Sequence, residues 1–252
     1  MPYEGKAAAV AARVSGMASS WRDFFDGDHA IYVNDRHRLL HDRIVTRDIA
    51  ALVRELAPGT PAVLDFGCGA ASEAVVLAAV CGRLVLSDAA PAVLARVRAR
   101  FDGHKVITVA APDDVRALPA GSLDVVVVNS LLQYLSRTEL QDWLDTFRLL
   151  LRPGGRLVLG DVVPPDIGPL TDAAALLRFG FEGGFLVAAC VGLVRTALSD
   201  YRKLRRDLGL SAYAEADILA MMEAAGFAAT RHRPNIGHNQ ARMTLIGTRE
   251  PE

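Results

Sequence analysis

An apolar run that ends in a carboxylate and then breaks into a glycine-rich turn constrains this chain most. Residues 61–66 are typical of a buried strand and residues 71–80 of the start of a helix, so Gly67 and Gly69 fall in a strand-to-helix turn. Because glycine lacks a Cβ and tolerates positive φ, the backbone of such a turn can approach a ligand closely. The first N–H groups of the following helix are free to bind an anionic group. We therefore expect a ligand site at this turn.

The residue ahead of the turn indicates which ligand is favoured. A dinucleotide fingerprint has a third small residue three positions after the second glycine, and Ser72 holds that position here. Asp65, two residues before Gly67, would repel phosphates and attract a cation. The pattern resembles the first motif of class I S-adenosylmethionine-dependent methyltransferases, in which the acid and the glycine turn hold the methionine end of the cofactor. The resemblance implies a cofactor site formed by Asp65, Gly67, Cys68 and Gly69.

A second acid follows the next predicted strand, residues 83–87. Asp88 ends that strand, 23 residues after Asp65. In a parallel sheet the two strands would be neighbours, so Asp88 would lie near the glycine turn and could accept hydrogen bonds from ribose hydroxyls. By resemblance, Asp88 and Ala89 form the second methyltransferase motif. The alternative is that Asp88 caps the helix predicted over residues 89–101.

Two later segments complete the cofactor site that the resemblance implies. Asp114 would accept a hydrogen bond from the adenine amino group and the Val115 N–H would meet the ring, although Asp114 is also typical of a solvated loop. Residues 122–130 form a β-branched run that is apolar on both faces, as a central parallel strand is. Asn129 and Ser130 would emerge at its carboxyl end, the edge where α/β sheets bind ligands.

Residues for the chemistry and for the acceptor are less clearly marked. Relatives often carry a histidine after the fourth strand, facing the transferable methyl, where this chain has Gln133 and Tyr134. A general base is needed only for a hydroxyl or a protonated amine. The candidates for it are Tyr134, His238 and His37, with simple packing the alternative for Tyr134. The candidates for acceptor contacts are Tyr32, His29 and Asn239.

Two histidines share a helix face with a spacing that zinc sites use. His37 and His41 are separated by one helical turn, with Asp35 and Asp42 nearby. A glutamate does not follow His37, as the metalloprotease motif requires. We therefore expect no metal.

The resemblance also implies an organisation of the chain. The expected fold is α/β, a doubly wound, Rossmann-like, mostly parallel sheet of seven strands. Residues 1–35 would form an N-terminal helical lid, and residues 36–161 and 213–252 the core that binds S-adenosylmethionine. Residues 162–212 would form a helical insert. Its apolar sequence favours a substrate cap for an apolar or aromatic molecule, with a dimer interface or simple core as alternatives.

The composition of the chain indicates which classes of binding partner are favoured. The chain has 252 residues, 51% of them hydrophobic, and 28 basic against 29 acidic side chains give a net charge of −1, which does not favour nucleic acid. Cys68, Cys81 and Cys190 are dispersed, which indicates reduced, buried thiols in a cytoplasmic protein. The longest apolar run, residues 185–194, is shorter than the ~20 residues that span a bilayer. Peripheral membrane contact through basic residues 202–206 and a homodimer stay open.

These features lead to a hypothesis of an S-adenosylmethionine-dependent methyltransferase in small-molecule biosynthesis. The favoured reaction is in-line transfer of a methyl group to an oxygen of an apolar or aromatic small molecule. Nitrogen or carbon transfer to an amine or lipid-like acceptor is the first alternative. An NAD-dependent oxidoreductase and a non-catalytic S-adenosylmethionine-binding module are the others.

Overall fold

The computed structural model describes residues 32–197 and 209–250. Its strands are β1 (Ala62–Phe66), β2 (Arg83–Ser87), β3 (Ile107–Ala110), β4 (Leu123–Asn129), β5 (Leu151–Val162), β6 (Phe227–His232) and β7 (Met243–Arg249). Its α-helices are α1 (Asp35–Leu56), α2 (Ala74–Ala78), α3 (Pro91–Arg100), α4 (Pro112–Arg116), α5 (Arg137–Leu150), α6 (Pro169–Gly183), α7 (Leu186–Ala197) and α8 (Glu215–Ala224). A short 3₁₀ helix spans Leu132–Tyr134.

The seven strands form one sheet in the order β3-β2-β1-β4-β5-β7-β6. Strands β1 to β5 pair in parallel, whereas β7 is antiparallel to both β5 and β6. This confirms the expected doubly wound, mostly parallel sheet. The chain leaves β1 towards β2 on one side and returns to β4 on the other, so the carboxyl end of β1 lies at the switch point where such sheets bind ligands.

Apolar cores cover both faces of the sheet, which explains the continuous hydrophobic run of β4. On one face, helices α5 and α8 pack through residues such as Leu144 and Met222. On the other, α1, α2 and α3 pack through residues such as Val53 and Leu77. A central parallel strand with both faces buried needs apolar side chains at every position, and residues 125–128 supply them.

Several local expectations differ from the structure. Helix α2 starts only at Ala74, because Ala71 has a φ of 46° and extends the turn. The expected helical insert contains two helices, α6 and α7, because Gly184 with its left-handed φ of 71° ends α6. Cys190 on α7 is exposed instead of buried, although all three cysteines are free.

Helices α6 and α7 pack against the first turns of α1. Phe179, Phe185 and Ala189 form a small core that also contacts Leu40 and Ile44 of α1. The boundaries predicted for lid, core and insert stay predictions, and most of the lid and the basic residues 202–206 lie outside the described residues. Within the described parts of the chain, the helices are too short or too polar to cross a membrane.

Helix α5 offers a matched test of the core. Leu144 is fully buried, whereas Leu149 on the same helix is 58% exposed. We predict that Leu144→Ala lowers the free energy of unfolding by about 2–5 kcal/mol, because it removes buried apolar surface and leaves a cavity. Leu149→Ala should change it by less than about 0.5 kcal/mol. Urea denaturation measures both, and equal effects would contradict this packing.

Candidate active site

The glycine turn after β1 is fixed by hydrogen bonds to the end of β2. The N–H groups of Gly67 and Cys68 donate to the Ser87 carbonyl at 2.8 and 2.9 Å. Gly67 and Gly69 both have positive φ, 82° and 54°. A Cβ added at Gly69 would meet no heavy atom within 4 Å, so the backbone there faces open space. The turn thus presents bare backbone to a ligand.

Asp88 shapes this turn with its carboxylate. It accepts the Gly69 N–H at 3.0 Å and the Ala90 N–H at 2.9 Å. The cap residue of α3 is Ala90, so Asp88 is not itself the N-cap, although it satisfies the N–H of that residue.

Asp65 is half-buried and lies close enough to Asp88 for their charges to interact. Burial, and secondly the charge of Asp88, raise the pKa of the Asp65 carboxyl from 3.8 to about 7. Its ionised form is therefore poorly stabilised by the protein alone. A cation bound beside Asp65 would supply the missing stabilisation, whereas a diphosphate would worsen it.

One cavity of about 1,710 Å³ extends from this turn to α7. Its lining includes seven of the residues predicted from sequence: Tyr32, Asp65, Gly67, Cys68, Gly69, Asn129 and Ser130. The lining also includes His41 of α1 and residues of α6 and α7, among them Phe181, Phe185, Val187 and Val191. The cavity thus joins the glycine turn to an apolar wall.

The other predicted residues lie away from the surface of this cavity, as far as the described residues show. They are His37, Asp88, Ala89, Asp114, Val115, Tyr134, His238 and Asn239. His29 lies outside the described residues. Asp114 accepts the Ala111 N–H at 3.1 Å and the Val115 N–H donates to the Ala111 carbonyl at 3.0 Å, so both shape the first turn of α4. Their adenine-binding roles stay predictions.

Three histidines cluster with aromatic rings between α1, α6, α7 and the loop before β7. His238 stacks on Phe179 with ring centroids 4.2 Å apart, and His37 stacks on Phe185 at 5.1 Å. The His41 ring lies 5.6 Å from that of His238. Burial lowers the pKa of His37 and of His238 to about 4, so both rings are neutral at pH 7. The cluster packs as uncharged aromatic groups.

A network of charged groups ties the ends of β4 and β5 to α6. Asp161 accepts the Ser130 hydroxyl and the Arg242 guanidinium, both at 2.8 Å. Arg242 also donates to Asp172 of α6 at 3.2 Å, and Asn239 donates to the same oxygen at 3.0 Å. Sequence reasoning missed Arg242, because its position just before β7 carries no sign of partners 70 and 81 residues away.

Backbone strain marks the same place. Ser130 and Asp161 have φ values of 54° and 57°, in the left-handed region that favours glycine. Ser130 follows β4 and Asp161 lies near the end of β5, and these two neighbouring strands end at the carboxyl edge of the sheet. Strained backbone of this kind persists where the surrounding bonds hold it, and it clusters at functional sites.

In residues 32–197 and 209–250, His, Cys, Asp and Glu side chains do not form a group of three or more that could hold a metal ion. The neighbours of His37 and His41 are instead aromatic. Tyr32 lies 5.3 Å from His37 and 5.5 Å from His41 between ring centroids.

Comparison with known proteins identifies a domain. Residues 64–157 match the family model described as a methyltransferase domain, and they run from the middle of β1 to the middle of β5. The match contains the glycine turn, Asp88 and the end of β4. This part of the chain is therefore a methyltransferase domain.

Curated relatives of this chain include two proteins named carboxy-S-adenosyl-L-methionine synthase. That from Erwinia tasmaniensis is 36% identical over 106 residues, 39% of this chain and 43% of the relative. That from Salmonella paratyphi B is 36% identical over 115 residues, 43% and 46% of the two chains. The chain thus spans less than half the length of these relatives.

Solved structures of methyltransferases share the fold. The N-methyltransferase NodS from Bradyrhizobium japonicum, in complex with S-adenosyl-L-homocysteine, has a TM-score of 0.53 at 22% identity and covers 87% of this chain and 94% of its own. Magnesium protoporphyrin IX methyltransferase from Synechocystis, with the same compound bound, has a TM-score of 0.56 at 20% identity and covers 91% and 93%.

The raised pKa of Asp65 predicts a pH-dependent stability. The folded state holds this proton more tightly than the unfolded state, so its contribution is fully present below pH 3.8 and is lost as the pH rises through about 7. Asp65→Asn should therefore become increasingly more stable than the wild type across that window, by at most about 4 kcal/mol. Denaturation at a series of pH values measures the difference.

The control for this prediction is Asp102→Asn, because Asp102 is exposed and follows α3. A difference between Asp65→Asn and the wild type that does not change across this pH window would contradict the prediction.

Proposed function

We propose that the protein binds S-adenosylmethionine at the glycine turn and transfers its methyl group to an oxygen of an apolar or aromatic small molecule. The observation that carries the proposal is Asp65, a carboxylate of raised pKa that lines the same cavity as the open backbone of Gly69 and forms no salt bridge with the described residues. A ligand with a sulfonium and an ammonium group would place positive charge beside this carboxylate.

The residues around the turn suit the rest of the cofactor. Asp88 holds the Gly69 N–H of the turn, so its carboxylate lies where ribose hydroxyls of a cofactor bound at the turn would meet it. Asn129 and Ser130 line the same cavity at the end of β4. The volume of about 1,710 Å³ exceeds the 300–1,000 Å³ typical of a single small-molecule site, which leaves space for an acceptor beside the cofactor.

The acceptor side of the cavity favours an apolar molecule. Phe181, Val187 and Val191 of α6 and α7 line it and are also exposed at the protein surface. An acceptor that buries these side chains gains about 25 cal/mol for each Å² of apolar surface removed from water. Nitrogen and carbon acceptors with an apolar body would gain the same contacts, and they are the alternatives to oxygen.

The bound cofactor would supply an activated methyl group on sulfur. The tasks left to the chain are to align the acceptor, to exclude water and to move a proton when the acceptor carries one. The aromatic and apolar wall of α6 and α7 serves the first two tasks, and the titratable side chains near it serve the third.

Calorimetric titration with S-adenosylmethionine and with NAD tests the proposed ligand. Binding of the first without the second is expected, because Asp65 and Asp88 repel a diphosphate. Tight binding of NAD would favour the oxidoreductase alternative. Binding of S-adenosylmethionine without transfer to any acceptor in a broad panel would favour a non-catalytic binding module.

A variant of Asp88 tests the cofactor site more closely. Asp88→Ala should weaken S-adenosylmethionine binding by about 1–3 kcal/mol, through the lost bonds to ribose and to the Gly69 N–H. Asp102→Ala, at an exposed position after α3, is the control and should bind as the wild type does. Equal affinities of all three proteins in calorimetry would contradict the role of Asp88.

A further inference from the structure

Of the three clustered histidines, His41 lines the cavity. The other two rings have different positions. His37 is buried against Phe185, and its Nδ1 accepts the Val33 N–H at 3.3 Å. His238 stacks on Phe179. Of the three, His41 is therefore the one placed to meet a molecule in the cavity.

The hydrogen-bonding capacity of His41 is unmet in the described parts of the chain. Its Nδ1 is buried and has no partner there. The rings of Tyr32 and His238 lie 5.5 and 5.6 Å away between centroids, so the surroundings are largely aromatic. Because an unmet buried polar atom costs free energy, a ligand group that bonds to this imidazole is favoured.

Charged groups around His41 suit a base that gains a proton during the reaction. Burial lowers its pKa, and the charge of Arg242 acts in the same direction, whereas Asp161 and Asp42 oppose the shift. The ring is therefore neutral at pH 7 and can accept a proton. Once it is protonated, the two carboxylates stabilise the imidazolium. The remaining titratable neighbours are His37, His238 and Tyr32.

The acidity of the acceptor hydroxyl decides how well an imidazole can remove its proton. An imidazole of ordinary pKa near 6.5 differs from a phenol, with a pKa of about 10, by about four powers of ten in acidity. It differs by about nine powers of ten from an alcohol whose acidity is near that of water, with a pKa of about 16. A base of lowered pKa in a buried site therefore suits a phenol or an enol far better than an aliphatic alcohol.

We propose that His41 is the general base for a phenolic or enolic acceptor whose apolar body lies against α7, an inference that rests on the proposed function. The acceptor oxygen forms a bond to the methyl carbon while the carbon–sulfur bond breaks and its electron pair stays on sulfur. The hydroxyl proton passes to the His41 imidazole and from there to water. The products are the methyl ether and S-adenosylhomocysteine.

The test compares the full-length wild type with His41→Gln, using para-alkylphenols of increasing chain length as acceptors. His41→Gln should lower kcat about a hundredfold, in keeping with the usual contribution of a general base. Its Kd for S-adenosylhomocysteine, measured by calorimetry, should stay that of the wild type. The matched control is His232→Gln on the edge strand β6, which should retain full activity.

Nitro-substituted phenols separate the base from a packing role. At pH 8 their hydroxyl is already ionised, so His41→Gln should lose less than threefold in kcat with them. Binding gives a readout that is independent of turnover. With S-adenosylhomocysteine present, the Kd for an un-ionised para-alkylphenol, measured by calorimetry, should be lower for the wild type than for His41→Gln, because the imidazole accepts the phenol hydroxyl.

Two results would overturn the inference. The first is a wild type that binds S-adenosylmethionine but methylates only amines or carbon, which leaves the cofactor site intact and rejects the phenolic acceptor. The second is an equal loss with ionised and un-ionised phenols, which indicates a packing role for His41. Failure of the wild type to bind S-adenosylmethionine in calorimetry would instead reject the proposed function itself.

Discussion

Two carboxylates at the ends of neighbouring strands are the constraint on which the site depends. Asp88 holds the Gly69 N–H, so the glycine turn keeps its left-handed conformation and its open face. Asp65 lies beside it, and burial raises its pKa to about 7. The charge of Asp88 disfavours ionisation of Asp65, so a positively charged ligand beside Asp65 would stabilise its ionised form. The proposed cofactor site rests on this interaction.

The rest of the fold positions the apolar side chains of α6 and α7 that line the cavity and that are proposed to contact the acceptor. Helix α1 contributes His41 to the cavity, and α6 and α7 pack on the same helix through Phe179 and Phe185. Arg242 joins Asp172 of α6 to Asp161 at the end of β5. This bridge is shielded from water, since the Arg242 side chain is 19% exposed, so the loss of one partner would leave a poorly solvated charge. The apolar wall is thus fixed relative to the strand ends.

Local sequence patterns, with the family resemblance that they carry, were enough to predict the mostly parallel sheet and the turn after β1. The run before Asp65, the spacing to Asp88 and the β-branched strand before Asn129 each report on one strand and its end, and strand ends in a parallel sheet meet at one edge. The family match over residues 64–157 covers this same part of the chain. Strand β2 was predicted with its observed bounds for the same reason.

The acceptor side could not be predicted in the same way, because it depends on contacts between distant segments. The spacing of His37 and His41 suggested a shared helix face, but which ring faces the cavity is decided by the packing of α6 and α7. The partners of Arg242 lie in β5 and α6, and a sequence pattern does not encode such pairing. Gly184, which separates α6 from α7, lies within an apolar run, so the sequence pattern did not predict a break between two helices there.

The number of protons released when S-adenosylmethionine binds tests the central claim most directly. Calorimetry at pH 6 in two buffers of different ionisation enthalpy gives this number. If Asp65 holds a proton in the free protein and loses it to a cationic ligand, the wild type should release close to one proton per ligand bound, and Asp65→Asn close to none. Equal proton release by both proteins would contradict the claim that Asp65 selects the ligand by charge.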